Sequence, residues 1–413
     1  MDPTPPTPID PSASSSSSSS DPSPSPGHAI VCGAGVIGAC TAYFLAKKGV
    51  RVTVVERCSV ACAASGKAGG FLALDWCDGS PLGKLARASF LMHQRLAAEL
   101  DGAHRYGYRP LDTLSLVVEE PRSGTDNHHA GGGEVVNAST PSVLPSWTDG
   151  PVKGATPIGN QTTTAQVHPA LFTQAVLSAA EAEFGVRVIR GEVEELRLDP
   201  HRMKLLGVVV DKELIPAEVA VVALGPWSSN LSSISDLTRI SGRKAHSIVV
   251  RPKSSQDLTP HALLLRYKTR EGKQLAPEVY PRPTGEVYVS GMSEEAELPA
   301  TAHQVKPRNE AVAMLRRVSE TVSSHLQGAE LETAQACFMP LSEDGRPLIG
   351  KLPNVEGAYV ATGHGYWGIL NGPATGAFLS ELIVDGECKT LDLKYFDPAR
   401  FFRNNARRKD CFL

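Results

Sequence analysis

The sequence predicts an α/β protein of two lobes, and three observations support this prediction. The chain has 413 residues, whereas a single domain usually has about 100–200 residues. Residues 28–56 have the pattern of a strand, a helix and a second strand. Residues 241–300 contain short β-branched segments separated by Pro and Gly, which is typical of an antiparallel sheet.

The composition narrows the functional classes. Hydrophobic residues make up 41% and charged residues 21% of the chain, as in ordinary globular proteins. The formal net charge of -3 favours neither a nucleic acid nor an anionic membrane surface as partner. No apolar run approaches the length of about 20 residues that a membrane span needs. We therefore expect a small-molecule substrate, no nucleic acid and no membrane span, and the oligomeric state stays open.

The eight cysteines are scattered, with no CxxC pair and no zinc-like spacing, so we expect no metal site. Scattered thiols fit a reducing compartment. Because no targeting signal is visible, a cytoplasmic location is the default expectation.

Three segments are predicted to lie outside the folded lobes. Residues 1–27 are almost all Pro, Ser, Thr and Asp, and they have too little apolar surface to fold, so we expect a disordered tail. Residues 121–140 are expected to form a flexible insertion. That insertion contains His128 and His129, but no further metal ligands lie at useful spacing. Residues 391–413 are expected to form a C-terminal tail.

The folded part begins at His28 with a buried strand over residues 28–32. A turn and helix follow over residues 33–48, and a β-branched strand over residues 51–56. The later predicted elements are a helix over residues 169–184, strands over 186–190 and 219–224, a helix over 305–325, a strand over 357–361, and a helix from about Pro373 to Val384.

The turn after the first strand reads Gly33-Ala34-Gly35-Val36-Ile37-Gly38, a G-x-G-x-x-G pattern. Such glycines permit a tight turn, leave room for a pyrophosphate, and let the helix approach the sheet. The free N–H groups at the helix N-terminus suit a diphosphate. The second strand ends in Glu56, where an acid can accept hydrogen bonds from a ribose. This unit predicts a dinucleotide site, and the pattern does not by itself separate FAD from NAD.

Further motifs favour FAD. They are Ala223-Leu224-Gly225-Pro226-Trp227-Ser228, the segment DGRPLIG over residues 344–350, and the segment ATGHGYWG over residues 361–368. With these motifs the sequence resembles the FAD-dependent oxidoreductases related to D-amino-acid oxidase, glycine oxidase and sarcosine oxidase, from His28 to about Asp385. The resemblance implies a discontinuous Rossmann-type FAD-binding lobe (28–90, 165–235 and 336–390) and a mainly antiparallel-sheet substrate lobe (91–164 and 236–335).

The resemblance also implies which residues bind FAD. They are Gly33, Gly35, Val36, Ile37, Gly38, Glu56 and Arg57 at the adenosine diphosphate, Ala64, Ser65, Gly69 and Gly70 beside the pyrophosphate and flavin, Val193 at the adenine, Gly225 after its strand, and Gly363, Gly365, Gly368 and Ile369 at the pyrimidine end of the flavin.

The same C-terminal turn holds the candidate catalytic residues, His364, Tyr366 and Trp367. His364 either tunes the flavin or is a hydrogen-bonded structural histidine. Trp367 either walls the active site or packs in the core. In the other lobe, His246 and Tyr280 are candidates for the substrate pocket.

The sequence departs from the family at the arginine that binds the substrate carboxylate. Met339 stands where glycine-oxidase-like members have an arginine, and Tyr366 occupies a second basic position of the family. These departures put a simple amino-acid substrate in doubt. Arg282, Arg251 or Arg243 could bind the carboxylate from the other lobe. The predicted substrate pocket therefore contains Arg282 and Met339 besides His246 and Tyr280.

Cys337 falls where sarcosine-oxidase-like members attach FAD covalently. It is either such an anchor or a small core residue, since buried free Cys behaves as a small hydrophobe.

The resemblance implies an FAD-dependent oxidoreductase that oxidises a small amine or amino-acid-like substrate by hydride transfer to flavin N5. Oxygen is the default electron acceptor. Two alternatives stay open. One is a flavoprotein with a mainly assembly or trafficking role. The other is an NAD-dependent dehydrogenase, in which the C-terminal glycine turn would have no use.

Overall fold

A computed structural model describes residues 26–121 and 143–402. Residues 122–140 of the predicted insertion, residues 1–25 of the predicted N-terminal tail and residues 403–413 lie outside the described residues. The strands are β1 His28–Cys32, β2 Arg51–Glu56, β3 Phe71–Ala73, β4 Arg109–Pro110, β5 Asp112–Glu119, β6 Val152–Gly159, β7 Thr164–Gln166, β8 Arg187–Arg190, β9 Val193–Leu198, β10 Leu205–Val210, β11 Glu213–Pro216, β12 Val219–Val222, β13 Ile240–Arg251, β14 His261–Lys268, β15 Gln274–Leu275, β16 Glu278–Pro281, β17 Val287–Glu295, β18 Glu330–Ser342, β19 Leu348–Lys351 and β20 Ala358–Thr362. The helices are α1 Val36–Lys47, α2 Ala64–Lys67, α3 Gly83–Glu99, α4 Gly102–Tyr106, α5 Pro169–Phe184, α6 Ser232–Ser235, α7 Asn309–Val322 and α8 Gly368–Asp385.

The first lobe is built on a six-stranded sheet of order β19-β20-β12-β1-β2-β8. The pairs that β1 makes with β2 and β12 are parallel, and β19 alone is antiparallel to its neighbour. Every residue of β1 and β12 is buried. A parallel sheet is covered on both faces, which explains why these strands are continuously apolar in the sequence.

Successive residues of β1 point to two different cores. Ala29 and Val31 pack against the helices α1, α3, α5 and α8 on one face. Ile30 and Cys32 point to the other face, where the three-stranded sheet β11-β10-β9 covers them. This alternation is the period of two expected of a strand.

The second lobe is an eight-stranded sheet with the main order β18-β13-β17-β16-β14-β5-β6, and β15 pairs with β14. Its pairs are antiparallel except for β14 with β5, which are parallel. The helix α7 packs on the outer face through Leu315, Val318 and Val322. The fold is therefore α/β, as the sequence predicts, with a largely antiparallel second sheet.

The last long helix begins earlier than predicted. The sequence places its start near Pro373, but α8 begins at Gly368 and contains Pro373 in its interior. A proline cannot donate to the carbonyl four residues before it, here that of Ile369. The side chain of His93 lies there instead, with Nε2 2.9 Å from the Ile369 oxygen. This distant donor compensates for the missing hydrogen bond.

Part of the predicted C-terminal tail packs on the first lobe. Phe396 and Phe401 are buried. The Ile349 N–H donates to the Phe396 carbonyl at 2.9 Å. The Arg400 Nε donates to Asp344 Oδ2 at 2.8 Å, and this guanidinium helps to hold the pKa of Asp344 below its usual range. Residues 391–402 are thus ordered by apolar burial and an ion pair that the sequence pattern did not reveal.

Within residues 26–121 and 143–402, no helix combines the length and apolar character required to cross a bilayer.

Candidate functional site

A cavity of about 1020 Å³ lies between the two lobes. One wall is formed by the turns that follow β1, β2 and β12, and the opposite wall is the inner face of the second sheet. Ligands of open α/β sheets bind outside the carboxyl ends of the strands, where the strand order reverses. β1 lies between β2 and β12 and is such a point.

The glycine turn gives this cavity a site for an anion. Gly33 has φ +107°, and a Cβ there would lie 2.5 Å from the Ala223 carbonyl oxygen. At Gly38 a Cβ would overlap the carbonyl oxygen of Gly33 itself. The helix α1 therefore begins directly against the turn. Its N-cap residue, Gly35, has no side chain to cap it, and its first turn has no acidic residue. The Val36 N–H donates to the neutral hydroxyl of Ser65 at 2.9 Å. No carboxylate therefore competes at the start of α1, which suits a diphosphate.

Glu56 is held at the edge of the cavity by two backbone groups. The Ala34 N–H donates to Oε2 at 2.9 Å, and the Cys58 N–H donates to Oε1 at 2.8 Å. The next residue, Arg57, pairs with Glu192 at 2.6 Å and donates to the Ala300 carbonyl. The carboxylate at the end of β2 is thus positioned where a ribose would follow the diphosphate.

The segment around α2 runs between the two lobes. A Cβ on Gly69 would lie 2.5 Å from Cε2 of Tyr280, so the glycine lets the backbone run against this ring. The Lys67 carbonyl accepts a hydrogen bond from the Tyr288 hydroxyl at 3.0 Å, and the Lys67 Nζ donates to the Ala336 carbonyl at 3.0 Å. Lys67 lines the cavity.

The C-terminal turn brings the three candidate catalytic residues to the cavity in different environments. His364 is buried, its Nε2 lies 3.0 Å from Thr375 Oγ1, and burial lowers its pKa to about 3. The imidazole is therefore neutral near pH 7. Tyr366 is 64% exposed. The Trp367 ring meets the Trp76 ring edge to face at 6.4 Å.

Most of the predicted FAD-binding residues line the cavity. They are Gly33, Gly35, Val36, Ile37, Glu56, Arg57, Ala64, Ser65, Gly69, Gly70, Val193, Gly225, Gly365, Gly368 and Ile369. Gly38 and Gly363 do not line it, although their neighbours in the chain do.

Of the predicted pocket residues, His246, Tyr280 and Met339 line the cavity and Arg282 does not. The guanidinium of Arg282 is buried 5.3 Å over the Tyr288 ring and lies 3.6 Å from Glu286. It is committed to the interior of the second lobe. Arg243 and Arg251, the other two arginines predicted as anchors, do not line the cavity either.

Sequence reasoning missed several polar residues that line the cavity. Glu278 is one, and its spacing of two from Tyr280 along β16 is the signal that could have found it. The Tyr280 hydroxyl donates to Glu278 Oε2 at 2.6 Å. Arg308 is another, and it pairs with Glu294 at 2.7 Å. Lys67 lies between Ser65 and Gly69, in the segment predicted to pass the flavin, but was not itself predicted as a site residue.

Cys337 lines the cavity as a free, buried thiol. Burial raises its pKa to about 11, which the nearby Lys67 partly opposes. The residue is therefore a thiol near pH 7, and its role as covalent anchor or core residue stays a prediction.

The residues that line the cavity fit FAD. The glycine turn and the start of α1 would hold the diphosphate, and Glu56 would hold a ribose. The isoalloxazine would lie beside the turn at Gly365, with the rings of Tyr280 and Tyr288 on the opposite wall. Within the described parts of the chain, no cluster of His, Cys, Asp and Glu is arranged to hold a metal ion.

Comparisons with known proteins agree with this assignment. A family model for FAD-dependent oxidoreductases (DAO) matches residues 28–382. The chain is 31% identical over 391 residues to C1F5.03c of Schizosaccharomyces pombe, which is named as an oxidoreductase, covering 89% of this chain and 97% of that protein. It is 26% identical over 388 residues to a glycine oxidase of Geobacillus kaustophilus, covering 90% and 96% of the two chains.

The crystal structure of glycine oxidase from Geobacillus kaustophilus has the same fold, with a TM-score of 0.74 at 22% identity over 91% of this chain and 98% of that one. L-Proline dehydrogenase from P. horikoshii gives 0.73 at 18% identity over 92% and 99%. The chain therefore belongs to the DAO family of FAD-dependent oxidoreductases, and FAD is its cofactor.

Proposed function

We propose that the protein oxidises a C–N bond of a small amine or amino-acid-like molecule. Bound FAD supplies the chemistry, because its N5 accepts a hydride from the carbon beside the nitrogen. The observation that carries the proposal is the second wall of the cavity. Beyond the FAD-binding turns, this wall presents Glu278, Tyr280 and Tyr288, and Lys67 of α2 lies against it, so the cavity has polar groups for a small substrate besides the cofactor.

The residues of the chain divide the work between holding the cofactor and handling the substrate. The start of α1 and Glu56 would hold the adenosine diphosphate. The turn at Gly365 would present N–H groups to the pyrimidine end of the flavin, where such groups favour negative charge on the reduced ring. His364 remains neutral beside them because burial lowers its pKa to about 3.

The residues around the substrate favour the neutral form of the reacting amine. An amine gives up a hydride readily only when its nitrogen is neutral. The Lys67 ammonium disfavours a second positive charge close to it. The buried rings of Tyr280 and Tyr288 exclude water from the same wall. We propose oxygen as the electron acceptor.

The glycine oxidase and L-proline dehydrogenase relatives support the reaction class but not the substrate. The arginine that would anchor a carboxylate is replaced by Met339, and Arg243, Arg251 and Arg282 do not line the cavity. A simple α-amino acid therefore lacks its usual partner here, and amines rank before amino acids among the substrates to be tried.

The test is an anaerobic titration of the purified holoenzyme with a panel of amines and amino acids. We expect loss of the flavin absorption with at least one amine, and formation of hydrogen peroxide when air is admitted. Stoichiometric FAD that no member of the panel reduces would refute the proposal and favour an assembly or trafficking role. Acid precipitation beforehand tests Cys337, because a covalent flavin stays in the pellet.

A further inference from the structure

Glu278 is a carboxylate that faces the cavity without a cationic partner. It lies on β16 and lines the cavity wall. Two hydroxyl groups donate to its Oε2, that of Tyr280 at 2.6 Å and that of Ser290 at 3.3 Å. Among the described residues, no Lys, Arg or His forms an ion pair with it. Its Oε1 receives no hydrogen bond from them, so this oxygen is available to a ligand in the cavity.

Two of the cations that line the same cavity, Arg308 and Lys67, have partners of their own, and Lys273 and Arg190, which also line it, form no ion pair with Glu278 within the described residues. Arg308 pairs with Glu294 at 2.7 Å. The Lys67 Nζ donates to the carbonyl of Ala336 on β18. Burial raises the pKa of Glu278, and no neighbouring positive charge offsets this effect. A half-buried carboxylate without a counter-ion is less stable than a paired one, and a bound cation would supply the missing charge.

The aromatic rings beside Glu278 give this part of the cavity an apolar wall. The Tyr280 ring is stacked between Phe71, at 5.7 Å, and Tyr288, at 6.0 Å, with interplanar angles of 12° and 6°. Phe71, Tyr280 and Tyr288 all line the cavity. Because these rings exclude water, they strengthen the attraction between the carboxylate and a cation bound beside it.

Glu278 lies far from the turn that holds His364. That turn pairs with β18, where Leu341 forms a bridge to His364. Between β18 and β16 lie β13 and β17. Three strand spacings amount to about 14 Å. The Lys67 Nζ contacts β18 at Ala336, before Leu341 in the chain. Ala336 is aligned through His246 with Gly291, the neighbour of the Ser290 that pairs with Glu278. Lys67 and Glu278 therefore lie at one level of the second sheet, and the turn lies further along β18.

We propose that Glu278 binds a positively charged group of the substrate, at the end remote from the C–N bond that is oxidised. The substrate class is then amines with a second cationic group, such as diamines, in preference to monoamines and to simple α-amino acids. The amine that reacts lies at the end of the cavity toward the turn. The substrate class rests on the proposed function. The binding of a cation by Glu278 does not depend on it.

The first test measures binding without turnover. The holoenzyme is titrated with benzyltrimethylammonium, a permanent cation, and with benzoate, and the change in flavin absorption gives Kd. In Glu278→Gln we expect the Kd of the cation to rise at least about tenfold, with no loss of benzoate affinity. Glu295→Gln is the matched control, because this substitution makes the same change in charge and Glu295 is exposed at the end of β17. Its Kd should stay within about twofold of the wild-type value. Equal cation affinity in wild type and Glu278→Gln overturns the inference.

The second test measures substrate preference. The anaerobic rate of flavin reduction is compared between 1,10-diaminodecane, whose extended chain can bridge the two ends of the cavity, and n-undecylamine, which replaces one amino group by a methyl group. The wild type should prefer the diamine by at least about tenfold, and Glu278→Gln should lose this preference. Reduction by both amines without preference refutes the substrate class and leaves the proposed function intact. Reduction by neither, with Glu278-dependent binding of the cation, refutes the proposed function and leaves the cation site intact. If Glu278→Gln loses FAD, the same comparisons are made with Glu278→Asp.

Discussion

Replacing Gly33 by alanine should abolish tight FAD binding. The residue joins β1 to the turn before α1, and its φ of +107° is a conformation that a side chain disfavours. An alanine Cβ would lie 2.5 Å from the carbonyl oxygen of Ala223, whereas ordinary contacts begin at 3.4 Å. The Ala223 oxygen belongs to the backbone, and the backbone of residue 33 fixes the position of the Cβ, so neither atom can rotate away from the other.

The magnitude follows from these two effects. Holding a residue other than glycine in such a conformation costs about 1–3 kcal/mol. Relieving the overlap requires a shift of about 0.9 Å in a packed region, which costs a further ~1–3 kcal/mol. If the turn relaxes instead, the start of α1 moves away from the diphosphate. A loss of about 2.7 kcal/mol in binding corresponds to a Kd raised about 100-fold, and we expect at least this change.

The assay is reconstitution of apoprotein with FAD, followed by the quenching of flavin fluorescence. Gly154→Ala is the matched control, since a Cβ there meets only Val117 at 3.8 Å. Urea unfolding of the apoproteins separates loss of binding from loss of folding. A Gly33→Ala protein that folds and binds FAD within about threefold of the wild-type Kd would show that the turn geometry does not determine affinity.

Three further predictions concern single side chains. Glu56→Gln should weaken FAD binding by about tenfold or more, because an amide has one acceptor oxygen, whereas the two carboxylate oxygens accept from the N–H groups of Ala34 and Cys58. Reconstitution with FAD measures the affinity, and an unchanged Kd would contradict a role of Glu56 in FAD binding. His93→Phe should lower the free energy of unfolding by about 1–3 kcal/mol, because it leaves the Ile369 carbonyl buried without its side-chain donor; urea unfolding measures this, and a neutral effect would mean that the helix closes the gap. Burial lowers the pKa of His364 to about 3, below the unfolded value of about 6.5, so the unfolded chain binds more protons below pH 6.5 and stability falls as pH drops toward 3. This histidine should contribute a slope of up to about 1.4 kcal/mol per pH unit, and unfolding measured from pH 7 to 4.5 should show a shallower slope in His364→Gln; identical slopes would argue against a neutral, buried imidazole.

The parts of the fold that could be predicted from the sequence are those made by short-range patterns. The unit from β1 to β2 has the predicted bounds, because buried strands and a glycine turn are encoded in adjacent residues. The predicted start of α8 near Pro373 is wrong, because the helix begins at Gly368. The donor to the Ile369 carbonyl that Pro373 cannot supply is His93, which lies 276 residues from Ile369 in the chain. No local pattern contains that information.

The candidate site divides in the same way. The FAD-binding turns and the motifs of the family could be predicted from the sequence, because a diphosphate is held by backbone N–H groups whose positions follow from a few glycines. Which charged side chains share the cavity could be learned only from the folded chain. It buried Arg282 against Glu286 and brought Lys67 and Glu278 to the cavity wall. The charge pattern of a pocket depends on strand pairing across the second sheet, and such long-range contacts leave no spacing in the sequence to read.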